Sequence, residues 1–311
     1  MLIFRGISPK TQSPARRAIS IGNFDGVHRG HQALIRQVKA AAEQHHLRSA
    51  IVTFEPHPKA FFNPQNAPGR IQCLRDKATA LADMGIDELW ILPFRQSLAQ
   101  LSAEDFMQQF LHQTLQTAVI VVGDDFCFGA KRRGNFDLLN AASAQHQWQV
   151  QRLHTVLVNN DRASSSTVRQ ALQAGDIAKA ADLMGRAYTL SGHVIHGKKL
   201  GRELGFPTLN IPVPKSLVLS GIFVVSVHGL AATPLPAVAS LGRRPTVDHA
   251  GQLLLEVHCL DWSGDGYGQV VSVEFHQKLR DEAHYNDLVT MTRQIQQDAQ
   301  DARDYFAHHV H

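Results

Sequence analysis

Cysteine is scarce in this 311-residue chain, and its three residues, Cys73, Cys127 and Cys259, lie far apart. An odd, widely spaced set argues against a disulfide framework and against a zinc ribbon, and reads as reduced thiols in the cytosol. Long apolar runs are missing as well, none approaching the roughly 18 to 20 residues that a membrane span needs. Only Leu2, Ile3 and Phe4 stand between Met1 and Arg5, far short of a secretory h-region, so a cytoplasmic protein is expected. There is no basic block. The formal charge of +4 comes from 31 Lys and Arg scattered among 27 Asp and Glu, in a chain that is 44% hydrophobic and 19% charged. Small anions such as nucleotides account for that excess without nucleic acid, and small-molecule ligands, with no nucleic acid and no membrane, are the expectation. Internal repeats and low-complexity tracts are absent, and nothing signals an oligomeric state.

What is present divides in two. At this length a single core stops growing, so two domains are expected. From residue 18 to about 122, short apolar runs (Ala18 to Ile21, Ala50 to Phe54, Glu88 to Pro93, Ala118 to Val122) alternate with helical periodicity over Gly30 to His46, Arg75 to Met84 and Ala103 to Leu115. Strands separated by helices imply a Rossmann-like parallel sheet covered on its faces. Ser102 with Asp105 three residues later marks the start of the helix carrying Phe106, Phe110 and Leu111. After about residue 186 the texture changes. Pro207, Pro212, Pro214, Pro234, Pro236 and Pro245 punctuate β-rich runs at Gly221 to Val227, Leu253 to Leu260 and Val270 to Phe275. Those runs predict a small antiparallel β-barrel, closed by a helix after Tyr285 with Leu288, Met291 and Ile295 at helical spacing. The fold class is therefore α/β plus β, with domains expected at 1–185 and 186–311.

Gly22-Asn23-Phe24-Asp25-Gly26-Val27-His28-Arg29-Gly30-His31 places a glycine-rich turn after the first strand and before the first helix. In an open α/β sheet that junction lies at the carboxyl end of a strand, where ligands bind. Glycines admit a phosphate to the backbone, and the helix amino terminus offers N–H groups and a positive dipole end. His28 and His31, three apart, share one face of the first turn and can donate to phosphate oxygens. Helix capping alone, or a zinc site lacking a third ligand, are the competing readings.

Further along, the second domain opens on His196-Gly197-Lys198-Lys199-Leu200-Gly201-Arg202-Glu203-Leu204-Gly205-Phe206-Pro207-Thr208-Leu209-Asn210, a glycine-rich string without Walker spacing. Its competing reading is a surface turn followed by an edge strand. Glu256, inside the apolar run Leu253 to Leu260, is a carboxylate that must be partnered or at a site, or else belongs to an outward face shared with His258.

The first constellation resembles the G-x-F-D-G-x-H-x-G-H pattern of nucleotidylyltransferases. Three ordered segments narrow the resemblance to the FAD synthetase branch: Thr53-Phe54-Glu55-Pro56-His57-Pro58, Val122 through Gly129 with Arg132 and Gly134, and Ser164-Ser165-Ser166-Thr167-Val168-Arg169. The second string resembles the riboflavin kinase signature ending in G-F-P-T-x-N. Over about residues 15 to 290 the chain is thus similar to the bacterial bifunctional riboflavin kinase/FAD synthetases.

That resemblance implies phosphorylation of riboflavin to FMN and adenylylation of FMN to FAD, with ATP at both sites and Mg²⁺. It implies that Gly22, Asn23, Phe24, Asp25, Gly26, His28, His31, Ser164, Ser165, Ser166 and Arg169 handle ATP phosphates in the first domain. FMN there would meet Phe54, His57, Pro58, Asp125, Phe128 and Arg132, although core filling is the alternative for Phe54 and Phe128. For the kinase it implies Gly197, Lys198, Gly201, Gly205, Pro207, Thr208 and Asn210 at ATP, with Thr208 and Asn210 as oxygen ligands of Mg²⁺. Glu256 would be the general base, and Arg280 and Glu282 would meet the flavin.

Departures exist. Thr167 stands where the family often has an arginine, Ser220-Gly221-Ile222-Phe223 where P-x-G-V-Y is usual, and Val247 where phenylalanine follows Thr246. Two other readings carry the same folds: adenylylation of a different phosphate ester, and a binder without turnover, which needs no general base.

Overall fold

The computed structural model describes residues 1–7, 15–197, 201, 205–242 and 253–309. They pack as two compact units, Met1–Pro68 with Lys77–Ser164, and Gly69–Asp76 with Ser165–His311.

In the first unit β1 (Leu2–Arg5), β2 (Arg17–Ile21), α1 (Arg29–Gln44), β3 (Arg48–Glu55) and α2 (Pro58–Phe62) lead to α3 (Leu74–Asp83), whose residues from Lys77 onward belong here. Next come β4 (Glu88–Pro93), α4 (Gln96–Ala99), and α5 (Ala103–Asp105) running into a π-helix over Phe106–Thr114. The unit continues with β5 (Thr117–Gly123), β6 (Cys127–Phe128), β7 (Gly134–Asn135), α6 (Phe136–Ala141), α7 (Ser143–His146), β8 (Gln149–Leu153), β9 (Leu157–Val158) and β10 (Asp161–Arg162).

The main sheet runs β1-β4-β3-β2-β5-β8, and every neighbouring pair is parallel. Its strands are apolar on both faces because both are covered. Ile19, Ile21, Ile120 and Val122 point to the layer of Phe106, Phe110 and Trp148, while Ala18, Val119 and Val121 pack on Val38, Ala41 and Ala42 of α1. The expected capping by Ser102 is present, its Oγ accepting from the Asp105 N–H at 2.9 Å.

At the amino ends of the strands, buried Arg17 pairs with buried Glu88 (Nε to Oε2, 2.7 Å), and the Trp90 indole donates to the same oxygen at 2.9 Å. A buried charge pair survives only when its remaining hydrogen bonds are met, as here. The carboxyl ends are left for ligands. Strand order reverses between β2 and β5, so a crevice opens outside their carboxyl ends.

The second unit holds α8 (Ser165–Ala174), α9 (Ile177–Met184), β11 (Tyr188–His193), β12 (Leu209–Val213), β13 (Gly221–His228), β14 (Leu235–Leu241), β15 (Leu253–Cys259), β16 (Val270–Arg280) and α10 (Leu288–His309). Its sheet is antiparallel in the order β11-β16-β13-β14-β15-β12, and a bridge between Ile195 and Asn210 nearly closes it into a barrel. Ile211, Phe223, Val225, Leu255, Val257, Val273 and Phe275 are buried in it.

The closing helix differs from expectation in its contact face. Leu288 is exposed, and the buried positions are Asp298, Ala299 and Ala302, whose small side chains let the helix approach Val224 and Leu260. Asp298 receives both Nε (2.8 Å) and Nη2 (2.6 Å) of Arg280, so that arginine fastens α10 to the end of β16.

Segment Gly69–Asp76 is laced into this unit by long-range bonds that sequence texture does not reveal. The Tyr188 hydroxyl donates to Ile71 O at 2.7 Å, and Asp76 Oδ1 accepts from the Ser191 N–H at 3.0 Å and hydroxyl at 2.5 Å. Burial raises the Asp76 carboxyl above its ordinary range, and burial with the neighbouring Asp76 pushes the Cys73 thiol up to about 12.

Candidate active sites

In the first unit the turn after β2 is built from residues that L side chains seldom allow. Phe24 (φ 48°) and Val27 (φ 41°) flank Gly26 (φ 89°), all three left-handed. The turn is held from beneath: the Asn23 carbonyl accepts from Lys77 Nζ at 2.7 Å and from the Thr53 hydroxyl at 3.1 Å. Helix α1 then starts with His28 as its cap, Nδ1 accepting from the His31 N–H at 3.4 Å. An accepting Nδ1 places the proton of a neutral His28 on Nε2, where it is a donor. The His28 and His31 rings stack at 3.7 Å, and Phe24 lies 4.9 Å from His31. Capping and phosphate donation are therefore compatible roles for one histidine. Among the described residues no three His, Cys, Asp or Glu side chains are grouped to hold a metal ion.

Other expected residues line the carboxyl ends of β3 and β5. His57 caps α2, its Nδ1 accepting from the Lys59 N–H at 3.1 Å, with Pro58 opening the helix. Phe54 meets Phe94 edge-on at 5.8 Å, in a group that includes Phe61 and the exposed ring of Phe62. Phe128 is buried in the core against Phe106, stacked on the half-buried Phe126, which is the placement of a core-filling residue. Gly134 is required beneath it, since a Cβ there would lie 2.6 Å from the Phe128 ring. Asp125 is exposed and paired with Arg162 at 3.0 Å, while neighbouring Asp124 accepts from the Thr155 N–H at 3.1 Å. Arg132 is exposed on its turn.

In the second unit Ser165 and Ser166 open α8, directly after Ser164, and Arg169 on that helix donates Nε to the Gly69 carbonyl at 2.6 Å. The barrel carries the other constellation. Asn210 on β12 stands directly opposite Glu256 on β15, and Glu256 is in turn opposite Ser240 on β14. Asn210 is buried, Glu256 half-buried, and the Asn210 amide donates to the Thr208 carbonyl at 3.3 Å. Leu209, Val257, Leu255 and Ile211 take the buried opposite face, so the alternation turns Glu256 and Asn210 to the same side.

At the described ends of the glycine-rich string, a Cβ on Gly197 would run into the Asn210 amide, and Gly201 accepts at its carbonyl from Phe206 N–H at 2.7 Å. Gly205 has φ 85°, the left-handed value a glycine supplies. His258, paired with Glu256 by alternation, bonds to the Pro207 carbonyl at 2.9 Å, and the His196 and Tyr267 rings lie 3.8 Å apart. Lys198, expected at ATP, and the Arg243 to Val247 stretch lie outside the described residues. Arg280, expected at the flavin, is engaged with Asp298 as described above; Glu282 is exposed.

Lys77, Thr53 as a hydroxyl donor, Ser240 and Arg162 escaped the sequence reading. No sequence signal marks Lys77, whose burial follows only from the placement of α3.

Residues 10–167 match the FAD synthetase family and residues 184–306 the riboflavin kinase family. The chain is 39% identical over 308 residues to a bifunctional riboflavin kinase/FMN adenylyltransferase of Escherichia coli strain K12, covering 98% of each. It is 40% identical over 312 residues to the like-named protein of Pseudomonas fluorescens, covering all of both. A crystal structure of a Streptococcus pneumoniae protein described as a macrolide-efflux protein superposes with a TM-score of 0.76 at 26% identity, covering 98% of this chain and all of that one. No helix among the described residues is long and apolar enough to cross a membrane. Fold and matches define a transferase with a nucleotidyl-transfer half and a flavin-kinase half. The chain belongs to the bifunctional riboflavin kinase/FMN adenylyltransferase family.

Proposed function

We infer that this enzyme makes FMN from riboflavin and FAD from FMN, each at the expense of ATP, and that the residues gathered at its two constellations carry out the two steps. The observation that supports the kinase assignment most directly is the opposition of Asn210 and Glu256, with Gly197 packed against Asn210. In the first step the riboflavin 5′-oxygen attacks the γ-phosphorus of ATP, its proton passes to the Glu256 carboxylate, and the β,γ-bridging bond breaks to release ADP. Gly197, Gly201, Gly205 and Pro207 shape the backbone that receives the ATP phosphates, with Lys198 expected beside them.

The side chains at the end of this stretch suit Mg²⁺, which takes hard oxygen ligands. Thr208 and Asn210 would supply hard oxygens, and Gly197 packs so close to Asn210 that a Cβ there would run into its amide. When bound there, the ion would offset charge on the transferred phosphoryl group.

In the second step an FMN phosphate oxygen attacks the α-phosphorus of ATP; a P–O–P bond forms, the α,β-bridging bond breaks, and pyrophosphate leaves. Positioning and charge stabilisation are most of what the protein supplies. Gly22 to Gly26, His28 and His31 receive phosphate at the α1 amino terminus, with Ser164, Ser165, Ser166 and Arg169 contributing hydroxyls and positive charge. Phe54, His57, Pro58, Asp125 and Arg132 would meet FMN, with Phe128 supporting them from the core. Arg280 and Glu282 bear on the kinase flavin, Arg280 by fixing the end of β16.

The functional boundary is set near residues 185 and 186, the partners are small molecules and not nucleic acid, and the compartment is the cytoplasm. Purified protein incubated with riboflavin, Mg²⁺ and ATP, with products separated by chromatography, yields FMN and then FAD. Absence of both products would sink the proposal.

A further inference from the structure

We propose that Lys77 is a positioning residue for adenylyl transfer, holding the strained turn between β2 and α1 in the form that receives the ATP phosphates. The inference rests on the reading of that turn as a phosphate site.

Lys77 is buried on α3, with only 7% of its surface exposed. Its ammonium donates to the Asn23 carbonyl at 2.7 Å and to the Thr53 hydroxyl at 3.3 Å. Thr53, fully buried, donates to the same carbonyl at 3.1 Å. Two donors, one of them charged, thus converge on one oxygen, and a charge-assisted bond is the stronger kind.

What they hold is costly to hold. Phe24 and Val27 are non-glycine residues at φ 48° and 41°, a conformation that persists only where the surroundings over-determine it. The Asn23 side chain does not lend its oxygen to the task, because Oδ1 is buried without a hydrogen-bond partner. Anchoring therefore falls on the Asn23 main chain. Since C=O and N–H of a trans peptide point in opposite directions, fixing the Asn23 carbonyl also fixes where the Phe24 N–H points. From that peptide onward the chain leads into His28, which caps α1, and His31, which stacks on it. The Lys77 ammonium bonds to the Asn23 carbonyl, so its action on the turn runs through Asn23.

The experiment compares wild type, Lys77→Met and Thr53→Val in separate FMN-to-FAD and riboflavin-to-FMN assays, with thermal melting of each. Removing the ammonium should raise KM for ATP and lower kcat/KM for ATP in FAD formation roughly 10- to 100-fold, the scale of a misplaced binding group. KM for FMN and the kinase rate should stay at wild-type values. Thr53→Val removes the second donor with little change of volume, shifts KM for ATP in the same direction, and carries the test if Lys77→Met does not fold. A fall in kcat alone, with KM for ATP unmoved in both variants, is the mark of lost folded protein and would overturn the positioning role. Unchanged kinetics in both variants would overturn it too. A wild-type protein that makes no FAD would instead overturn the reading of the turn as an adenylyl-transfer site.

Discussion

Asn210 and Glu256 face each other across an antiparallel strand pair, the first buried and the second half-buried, with Gly197 packed against the Asn210 amide. A carboxylate so placed has a hydrophobic layer behind it, and the proposed role makes it the base for an attacking hydroxyl. Glu256→Ala should therefore lower FMN formation by at least about 100-fold, the usual share of a general base. FMN-to-FAD conversion by the same variant should continue. Loss of both activities in a folded variant contradicts separate sites.

The complementary change lies in the first unit. His28→Ala removes both the α1 cap and the Nε2 donor, and should lower FAD formation roughly 100- to 1,000-fold, as loss of a preorganised donor does. Riboflavin phosphorylation, followed by FMN accumulation, should be unaffected. Retained FAD synthesis would reduce His28 to a helix cap.

Gly197 offers a test of the cradle that removes none of its candidate ligand side chains. A methyl group there collides with the Asn210 amide, so Gly197→Ala should displace Asn210 and raise KM for ATP in the kinase reaction. FAD formation from FMN serves as the internal control. A variant with wild-type kinase kinetics would show that the string does not close on Asn210.

Packing of α10 should depend on pH through His276. Burial lowers the pKa of this ring below its ordinary 6.5; it bonds to Ser226 Oγ at 2.8 Å and lies under Tyr305 and Phe306, with the Glu274 charge acting in the opposite sense. A folded-state pKa below the unfolded one contributes stability that is present above 6.5 and is lost as pH falls through the folded value. Urea midpoints measured from about pH 8 down to about pH 5, the range in which histidine titrates, should fall less for His276→Gln than for wild type. Superimposable curves would mean that the ring does not couple to folding.

The alternation of apolar runs with helical spacing made the parallel sheet readable, because a strand covered on both faces must be apolar throughout. β2, β3, β4 and β5 accordingly appear where those runs fall. Strand β1 was not legible: as an edge strand its Leu2 and Ile3 are exposed, so burial left no pattern to read. Local motifs announced the His28 turn and the string ending at Asn210, since their glycines and histidines are close in sequence. Partners distant in sequence stayed hidden. Nothing in Gly69–Asp76 betrays that Asp76 bonds to Ser191 or that Ile71 receives Tyr188, and Lys77 reads as a surface residue until α3 is placed. Phe128 shows the limit from the other side, for an aromatic residue inside a motif can serve the core.

The central claim, two successive transfers from ATP at two sites of one chain, is tested most directly by positional labelling. Riboflavin, Mg²⁺ and ATP labelled in the γ-phosphate should give labelled FMN and then labelled FAD. Label in the α-phosphate should enter FAD alone, with unlabelled FMN preceding it. A flavin product that never carries γ-label, or α-label appearing in FMN, would contradict the account.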